Sequence, residues 1–473
     1  ECFVIIISRF DKIFEFQHCS AMNKLAHISA LSGLPLSSNQ WRLWIVAQQD
    51  KSNPSYNLQL TYHLKTNIDY KTLNKSLALL FERQYTMFSV FRQKDGNPYV
   101  EIIKRDVCVE FIDFSGQTAE SRIKKIFDFC GDDSRKPFDI ENGPLYRLYL
   151  LKESEENYYF HATIHHLIFD GWSRRLFVQE LSAIYNALVL KQEVNLAPIK
   201  LYSFDFAAQE GETVDKNEED KLAGFWKDYL KGSPSELKLP LDHQRRAFSS
   251  GLGCRESFEF PKECSLRLKE IASEEGVSTF NLVVALLGLL LNKYSGEQDV
   301  CIGVPVSNRR KFVSSDNTFG LFVNTTVLRL LVDNNSTFKD YLEGSRESLK
   351  KSLSNSGLSF DKIVEAVKPE RIPGINPLFQ VSLSYMNDMT IPMQFGNTLC
   401  ERVTLHKGVA PFDISLYMWE DNGIIKGDIE YNVDIFNSKT IERLSNSYRY
   451  LSINITEDPS QTISAFSIIT EED

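Results

Sequence analysis

The sequence predicts a mixed α/β (α+β) protein folded as two similar lobes that meet at a cleft. Three observations carry this reading. Both halves alternate segments of period-two patterning with segments whose apolar residues recur every three or four positions, the marks of strands and of helices packed on a sheet. At 473 residues the chain is long enough for two or three compact units, each with its own core. Its 42% hydrophobic and 25% charged residues are ordinary for a globular protein.

Taken in order, residues 1–30 look irregular and read as an upstream remnant or linker. The opening Glu1-Cys2-Phe3 has no initiator Met and no basic stretch, so it reads as a fragment edge and not a signal peptide. The first lobe is expected over 31–207. It has strands at Asn57–Leu64, Tyr99–Ile103 and Leu145–Leu151, and a helix at Tyr70–Arg83 with apolar residues at 73, 77, 79, 80 and 81. Tyr158–Ile164 alternates as a strand, and Ser173–Leu190 carries Leu176, Phe177, Leu181, Ile184, Tyr185 and Leu188 on one helical side. Charged Glu210–Leu222 is the expected connection, partly helical. The second lobe, 208–468, reads as helices at Cys264–Glu275, Ser278–Tyr294, Phe338–Ser352, Phe360–Val367 and Ser438–Leu451. Its strands are expected at Val300–Val306, Leu321–Leu330, Phe379–Tyr385 and Ile424–Tyr431. Residues 469–473 read as a linker tail.

Charge and cysteine usage narrow the function classes. The formal net charge of −10 is dispersed and the nearest basic cluster, Arg309-Arg310-Lys311, is short, which argues against nucleic acid. The 8 cysteines are scattered without a CxxC pair and read as reduced cytosolic thiols, so a cytoplasmic protein is expected. No metal site is expected, because His161, His165 and His166 lack a spacing that would bring them together. The longest apolar run, Leu282–Leu291, is too short to span a bilayer and reads as a buried core helix, so no membrane partner is expected.

The chemistry concentrates in His165-His166-Leu167-Ile168-Phe169-Asp170-Gly171, at the end of the Tyr158–Ile164 strand. Here an imidazole, the side chain whose ordinary pKa suits proton transfer near neutrality, lies within a few residues of a carboxylate and a glycine. On a period of two, His161, Thr163 and His165 share one face while Ile164 and His166 share the other. Adjacent histidines therefore cannot do the same work. One faces a cleft, and the other anchors the strand from behind.

Several collinear motifs give a resemblance. His165-His166-xxx-Asp170-Gly171-Trp172-Ser173 is similar to the HHxxxDG motif of condensation domains of nonribosomal peptide synthetases, within the chloramphenicol acetyltransferase-like superfamily. Leu36-Ser37-Ser38-Asn39-Gln40-Trp41-Arg42-Leu43-Trp44 resembles the family's opening motif. Ile302-Gly303-Val304-Pro305-Val306-Ser307-Asn308-Arg309, Phe319-Gly320-Leu321-Phe322-Val323-Asn324-Thr325 and Asn376-Pro377-Leu378-Phe379-Gln380-Val381 resemble its second-lobe signatures. The likeness covers about residues 34–470. It implies two chloramphenicol acetyltransferase-like lobes in a V-shaped pseudo-dimer, with the active site in a tunnel between them.

The resemblance also implies an activity. A donor acyl or peptidyl thioester would be joined to the amine of an acceptor aminoacyl thioester. No cofactor is bound directly: phosphopantetheine arms come from donor and acceptor peptidyl carrier proteins, beside a neighbouring adenylation domain. His166 is expected to face the amine, as general base or as a hydrogen-bonding orienter, and His165 to be structural. Asp170 joins the catalytic set as a second acid/base candidate, though a buried structural carboxylate paired with Arg309 from the second lobe is the favoured reading. Gly171 would let the backbone approach substrate, with its N–H toward the oxyanion. Trp172 and Ser173 are expected to pack and cap the next helix or line the channel, and Asn324 and Gln380 to line it.

Departures from the family pattern keep other readings open. Phe88 stands where the second motif usually has an arginine, the Tyr-x-Asp-Phe-Ala motif survives only as Ser203-Phe204-Asp205-Phe206-Ala207, and Asn355-Ser356-Gly357 replaces the usual His-Gln-Asp. The alternatives are a free-standing acyltransferase of the superfamily and a catalytically impaired carrier-protein docking module. An epimerization domain is disfavoured because Trp172-Ser173 follows Asp170-Gly171 directly, and a cyclization domain because it would replace the histidines with aspartates.

Overall fold

The computed structural model describes residues 30–213, 216–247, 249–311, 315–386, 392–406 and 408–469. The expected upstream remnant and tail lie outside it, apart from residues 30 and 469. In chain order the first half contains β1 (Ala30–Leu34), α1 (Ser38–Gln49), β2 (Asn57–Leu64), α2 (Tyr70–Arg83), β3 (Ser89–Lys94), β4 (Asn97–Ile103), β5 (Glu110–Asp113), α3 (Ala119–Arg135), β6 (Tyr146–Lys152), β7 (Tyr158–His165), α4 (Gly171–Val189) and α5 (Ser203–Thr213). There follow α6 (Lys216–Tyr229), β8 (Gly253–Glu259), α7 (Lys262–Glu274), α8 (Thr279–Ser295), β9 (Asp299–Ser307), β10 (Val323–Leu331), α9 (Phe338–Ser354) and α10 (Phe360–Val367). The chain ends with β11 (Val381–Tyr385), β12 (Met393–Phe395), β13 (Thr398–Arg402), β14 (Ile414–Asp421), β15 (Ile424–Asn432) and α11 (Ser438–Glu457).

Two six-stranded sheets carry the two lobes, in the orders β12-β13-β2-β7-β6-β5 and β10-β9-β11-β14-β15-β8, with a smaller β1-β4-β3 sheet beside the first. Each large sheet mixes antiparallel pairs with parallel ones, β5 with β6 in the first and β11 with both β9 and β14 in the second. The sheets are covered by helices whose ends the sequence marks. Ser37 and Gln40 form a reciprocal capping box on α1, Asp69 caps α2, and Ser278 and left-handed Gly296 bracket α8. Every residue of α8 from Asn281 to Asn292 is buried, and each such leucine contributes roughly 1.5–3 kcal/mol of transfer free energy. Gly288 lets this helix sit close, since a Cβ there would lie 2.4 Å from Leu330 Cδ1 and from the Tyr341 hydroxyl. Among the described residues no single helix is long and apolar enough to cross a membrane.

The lobes are not separable at one point of the chain. A cut between residues 207 and 208 passes through α5, and most of the expected connection, Glu210–Leu222, is helix. Residues 393–402, expected with the second lobe, instead add β12 and β13 to the first lobe's sheet, where Glu401 pairs with His63 and Arg402 with Tyr62. Phe319, Leu321, Met393, Phe395 and Cys400 accordingly belong to the first lobe's core. Phe395 is the anchor of this crossover, 3% exposed with its ring centroid 4.4 Å from that of Tyr185. Phe395→Ala is expected to lower stability by about 3–5 kcal/mol through transfer and cavity terms, measured by chemical denaturation.

Candidate active site

The site is built where β7 ends. Its last residue, His165, is followed by a single 3₁₀ turn, His166–Ile168, and Asp170 then caps α4. The His166 N–H donates to the Tyr56 carbonyl at 2.9 Å, which pins the turn beside β2. The His166 ring contacts the Phe169 carbonyl through Nδ1 at 2.7 Å. A carbonyl only accepts, so Nδ1 carries a proton. The ring is half-buried and lines a cavity of about 930 Å³.

His165 has the opposite environment, as expected, although the two rings are separated by the turn that begins at His166 and not by strand alternation. It is buried, its Nδ1 accepts the Leu167 N–H at 3.2 Å, and Phe138 packs edge-on against its ring. Burial, and then the charge of His166, push its pKa down to about 3, so it is neutral and structural at physiological pH. Behind it on the same face, Asp133 accepts from Thr163 at 2.6 Å, Arg147 at 2.7 Å and Tyr149 at 3.1 Å, and His161 bonds Thr61 at 2.9 Å. Burial alone would raise the Asp133 pKa, but hydrogen bonds from His161 and Thr163, with Arg147 alongside, hold it well below the usual carboxylate range.

Asp170 lies fully buried and does not line the cavity. Its Oδ1 accepts the Ser173 N–H and hydroxyl, each at 2.7 Å, and Arg309 at 3.1 Å, while Oδ2 accepts the Phe322 N–H at 3.2 Å. Arg309 also donates to the carbonyls of Ser315 and Thr318, both at 2.7 Å, and stacks 4.0 Å over the Phe322 ring. Asp170 is therefore a positioning residue and not an acid/base: it holds α4 and the β9–β10 connection together across the lobes. Ser173 belongs to the same buried knot, with its hydroxyl accepting from the Gly320 N–H at 3.0 Å.

Gly171 lines the cavity at the first turn of α4, and a Cβ built there meets no atom within 4 Å. It thus avoids no clash within the protein; what it keeps open is the cavity itself. The other residues expected along the channel do not line it. Trp172 is half-exposed and donates to the Asp316 carbonyl at 2.8 Å. Asn324 is buried, donating to the carbonyls of Ser356 and Leu358 and accepting the Phe360 N–H. Gln380 accepts the Leu237 N–H at 2.7 Å and donates to the carbonyls of Ser235 and Asn376. Strand-end amides are suited to satisfying the backbone of loops, and this is their work here. The cavity is lined instead by both lobes' strand faces and the crossover: Asn57 and Gln59 of β2, Val304 of β9, Tyr417 of β14, and residues 402–405.

A family model described as Condensation domain matches residues 32–473. The chain belongs to the condensation domain family. Its members in nonribosomal peptide synthetases are amide-bond-forming acyltransferases. The chain is 29% identical to phosphinothricin tripeptide synthetase PhsC of Streptomyces viridochromogenes, over 93% of its own length and 41% of the relative's. It is 29% identical to malpinin synthetase of Mortierella alpina, over 97% of its own length and 6% of the relative's. It thus spans less than half the length of the curated relatives it matches. The fold is similar to that of a solved four-domain nonribosomal peptide synthetase bound to AMP and glycine, with a TM-score of 0.83 at 23% identity over 96% of this chain and 35% of that one.

The departures of this condensation domain from the family pattern are accommodated by packing. Phe88 is buried edge-on to Phe81 and Tyr85. Beside it, Gln84 bridges the lobes, donating to Glu180 and to the Asn317 carbonyl and accepting the Phe319 N–H at 2.9 Å. The Asn355 and Ser356 carbonyls accept from Trp226 and Asn324, so the 355–357 segment is held by its backbone.

These environments can be tested by substitution. Asp170→Asn strands the buried Arg309 charge and is expected to cost about 3–5 kcal/mol, while Asp170→Asn combined with Arg309→Met costs less than the sum of the single changes, in a denaturation double-mutant cycle. His165 binds a proton more weakly folded than unfolded. Its contribution is therefore complete above about pH 6.5 and is lost as pH falls toward about 3. His165→Gln is expected to flatten the stability-versus-pH curve in that window by up to about 1.4 kcal/mol per pH unit, read from denaturation midpoints.

Proposed function

We propose that the chain joins a donor acyl or peptidyl thioester to the amine of an acceptor aminoacyl thioester, each carried on the phosphopantetheine arm of a carrier protein. The observation that carries this reading is His166, set on the wall of a cavity lined by both lobes with its Nδ1 proton committed to the Phe169 carbonyl. The acceptor nitrogen attacks the donor carbonyl carbon while Nε2 takes a proton from that nitrogen. The tetrahedral intermediate collapses, the C–S bond breaks, and the departing thiolate takes the proton back from the imidazolium. One amide and one free thiol result.

Two features of the site support the step. The Gly171 N–H at the head of α4 is an orphan first-turn donor, offered to the oxyanion from the positive end of the helix dipole. Holding two tethered reactants together supplies further acceleration, about 7–11 kcal/mol where the geometry is near attack. The fixed Nδ1–Phe169 bond is what gives the ring a defined direction, so His166 is the residue in contact with the reacting atoms. Carrier proteins and a neighbouring adenylation domain are the partners this reading requires, and the cytoplasm is the compartment that suits six free cysteines among the described residues.

With loaded donor and acceptor carriers, the wild-type chain is expected to form the condensed product on the acceptor carrier. His166→Ala and His166→Asn are each expected to lower the single-turnover rate by roughly 10²–10⁴-fold, the range for a lost general base, with melting temperature unchanged. Wild-type rates in both variants would leave this histidine without a role, and no product from any of the three would favour a docking module.

A further inference from the structure

At its β14-β15-β8 end the cavity face of the second lobe's sheet is polar, whereas β9, β10 and β11 present Val304, Val306, Val323 and Leu383 to the same cavity. Arg255 of β8 and Glu430 of β15 are register partners, Asp428 lies two residues before Glu430 on the same face, and Tyr417 of β14 is the register partner of Asp428. All four line the cavity. Asp428 accepts the Ser257 hydroxyl at 2.6 Å and lies 3.2 Å from Arg255.

Arg255 differs from the other well-buried arginines. Arg309 is spent on Asp170 and two carbonyls. Arg245 grips both oxygens of Asp413 at 2.8 and 2.5 Å and also donates to the Gly374 carbonyl. Arg329 grips Asp299 and the Tyr229 carbonyl, and Arg147 holds Asp133 and the Lys136 carbonyl. Arg255, whose side chain is only 19% exposed, makes no hydrogen bond among the described residues, and Asp428 is its one charged partner. Its Nε is sealed, but its terminal nitrogens are not among the sealed atoms and so open onto accessible space. A guanidinium carries five N–H donors in a rigid fork. Here Nη1 lies 3.2 Å from Asp428, and neither terminal nitrogen makes a hydrogen bond among the described residues.

The charges around the cavity decide what those donors take. Arg174, Arg255 and Arg402 line it against Glu420, Asp428 and Glu430, three of each sign. An ionised group from a substrate would upset that balance in a partly desolvated space. A neutral oxygen acceptor would not.

Resting on the amide-forming reading above, we propose that Arg255 is a specificity-determining residue that donates to an uncharged oxygen acceptor, such as a side-chain carboxamide, on one of the two chains being joined. A substrate lacking such an oxygen displaces water from Arg255 and returns nothing, and sites of this kind reject it.

The test uses the full chain and stable pantetheine amides of glutamine, glutamate, lysine and norleucine, with dissociation constants measured by calorimetry. The same four residues are then varied on the donor and on the acceptor carrier, one arm at a time, in single-turnover assays. Wild type is expected to bind the glutaminyl probe about 10-fold or more tighter than the other three, and to show the same preference in one arm of the transfer assay. Arg255→Gln combined with Asp428→Asn keeps the wall neutral and is expected to bring the glutaminyl-to-norleucyl ratio to within about 2-fold, with Arg255→Lys between the two. Equal binding of all four probes by wild type overturns the proposal, as does a preference that survives the double variant. Binding preference without any product would count against amide formation and leave the Arg255 assignment standing; product without preference does the reverse.

Discussion

The structure depends on one buried ion pair that crosses between its lobes. Asp170 is inaccessible and Arg309 nearly so, and taking both charges out of water costs several kcal/mol per ion before any attraction is counted. What offsets that cost is dense hydrogen bonding, from which only Arg309 Nε is left out. The Asp170 carboxylate accepts from a backbone N–H of each lobe, from a hydroxyl and from the guanidinium, while Arg309 spends its other end on two carbonyls. A pair bonded at this many points is less a source of stability than of definition. It accepts one relative placement of α4 and the β9–β10 connection and penalises every other, because a shift that breaks one bond leaves a charge stranded.

The placement of the His166–Ile168 turn follows from that constraint. Asp170 is both the ion-pair partner and the N-cap of α4, so the residues between β7 and α4 are stretched between two fixed points, the sheet at His165 and the cap at Asp170. His166 lies between them and is further held by Tyr56 and Phe169. The β12–β13 crossover ties the other side of the cavity to the first lobe's sheet, and Gln84 ties the first lobe to the loop before β10. Three links at separate places in the chain fix the distance between the two sheets, and with it the width of the cavity.

How much of this can be read in the sequence depends on range. Asn57–Leu64, Tyr70–Arg83 and Phe360–Val367 coincide with their elements because each shows its own period locally. The division of labour between His165 and His166 is local too, but it comes from the 3₁₀ turn that begins at His166 and not from the alternation of β7, which ends at His165. The crossover is illegible for the opposite reason: β12 has three residues and β13 five, too short to show a period, and the strand that β13 joins, β2, lies more than three hundred residues earlier. The motifs that hold Asn324 and Gln380 resemble site motifs and so suggest a channel lining, yet both side chains satisfy loop backbone. A motif marks that a residue matters without saying which way it points.

Arg255 is the clearest case of a signal present but unread. Its strand, Gly253–Glu259, contains a polar residue at nearly every second place, Arg255 and Ser257 among them, and β15 repeats this with Asp428 and Glu430. Strands patterned in this way are ordinarily assigned to solvent on their polar side. Here the polar side faces inward, because the second sheet lies over the cavity and not over water, while Phe258 and Ile429 on the other side join the core. The pattern of one strand cannot distinguish these cases, since an enclosed aqueous chamber and bulk solvent impose the same demand on a side chain. What separates them is the cost of leaving a group unbonded, negligible in open water and substantial in a partly desolvated space. In such a space the polar residues that the protein leaves unsatisfied become statements about the ligand.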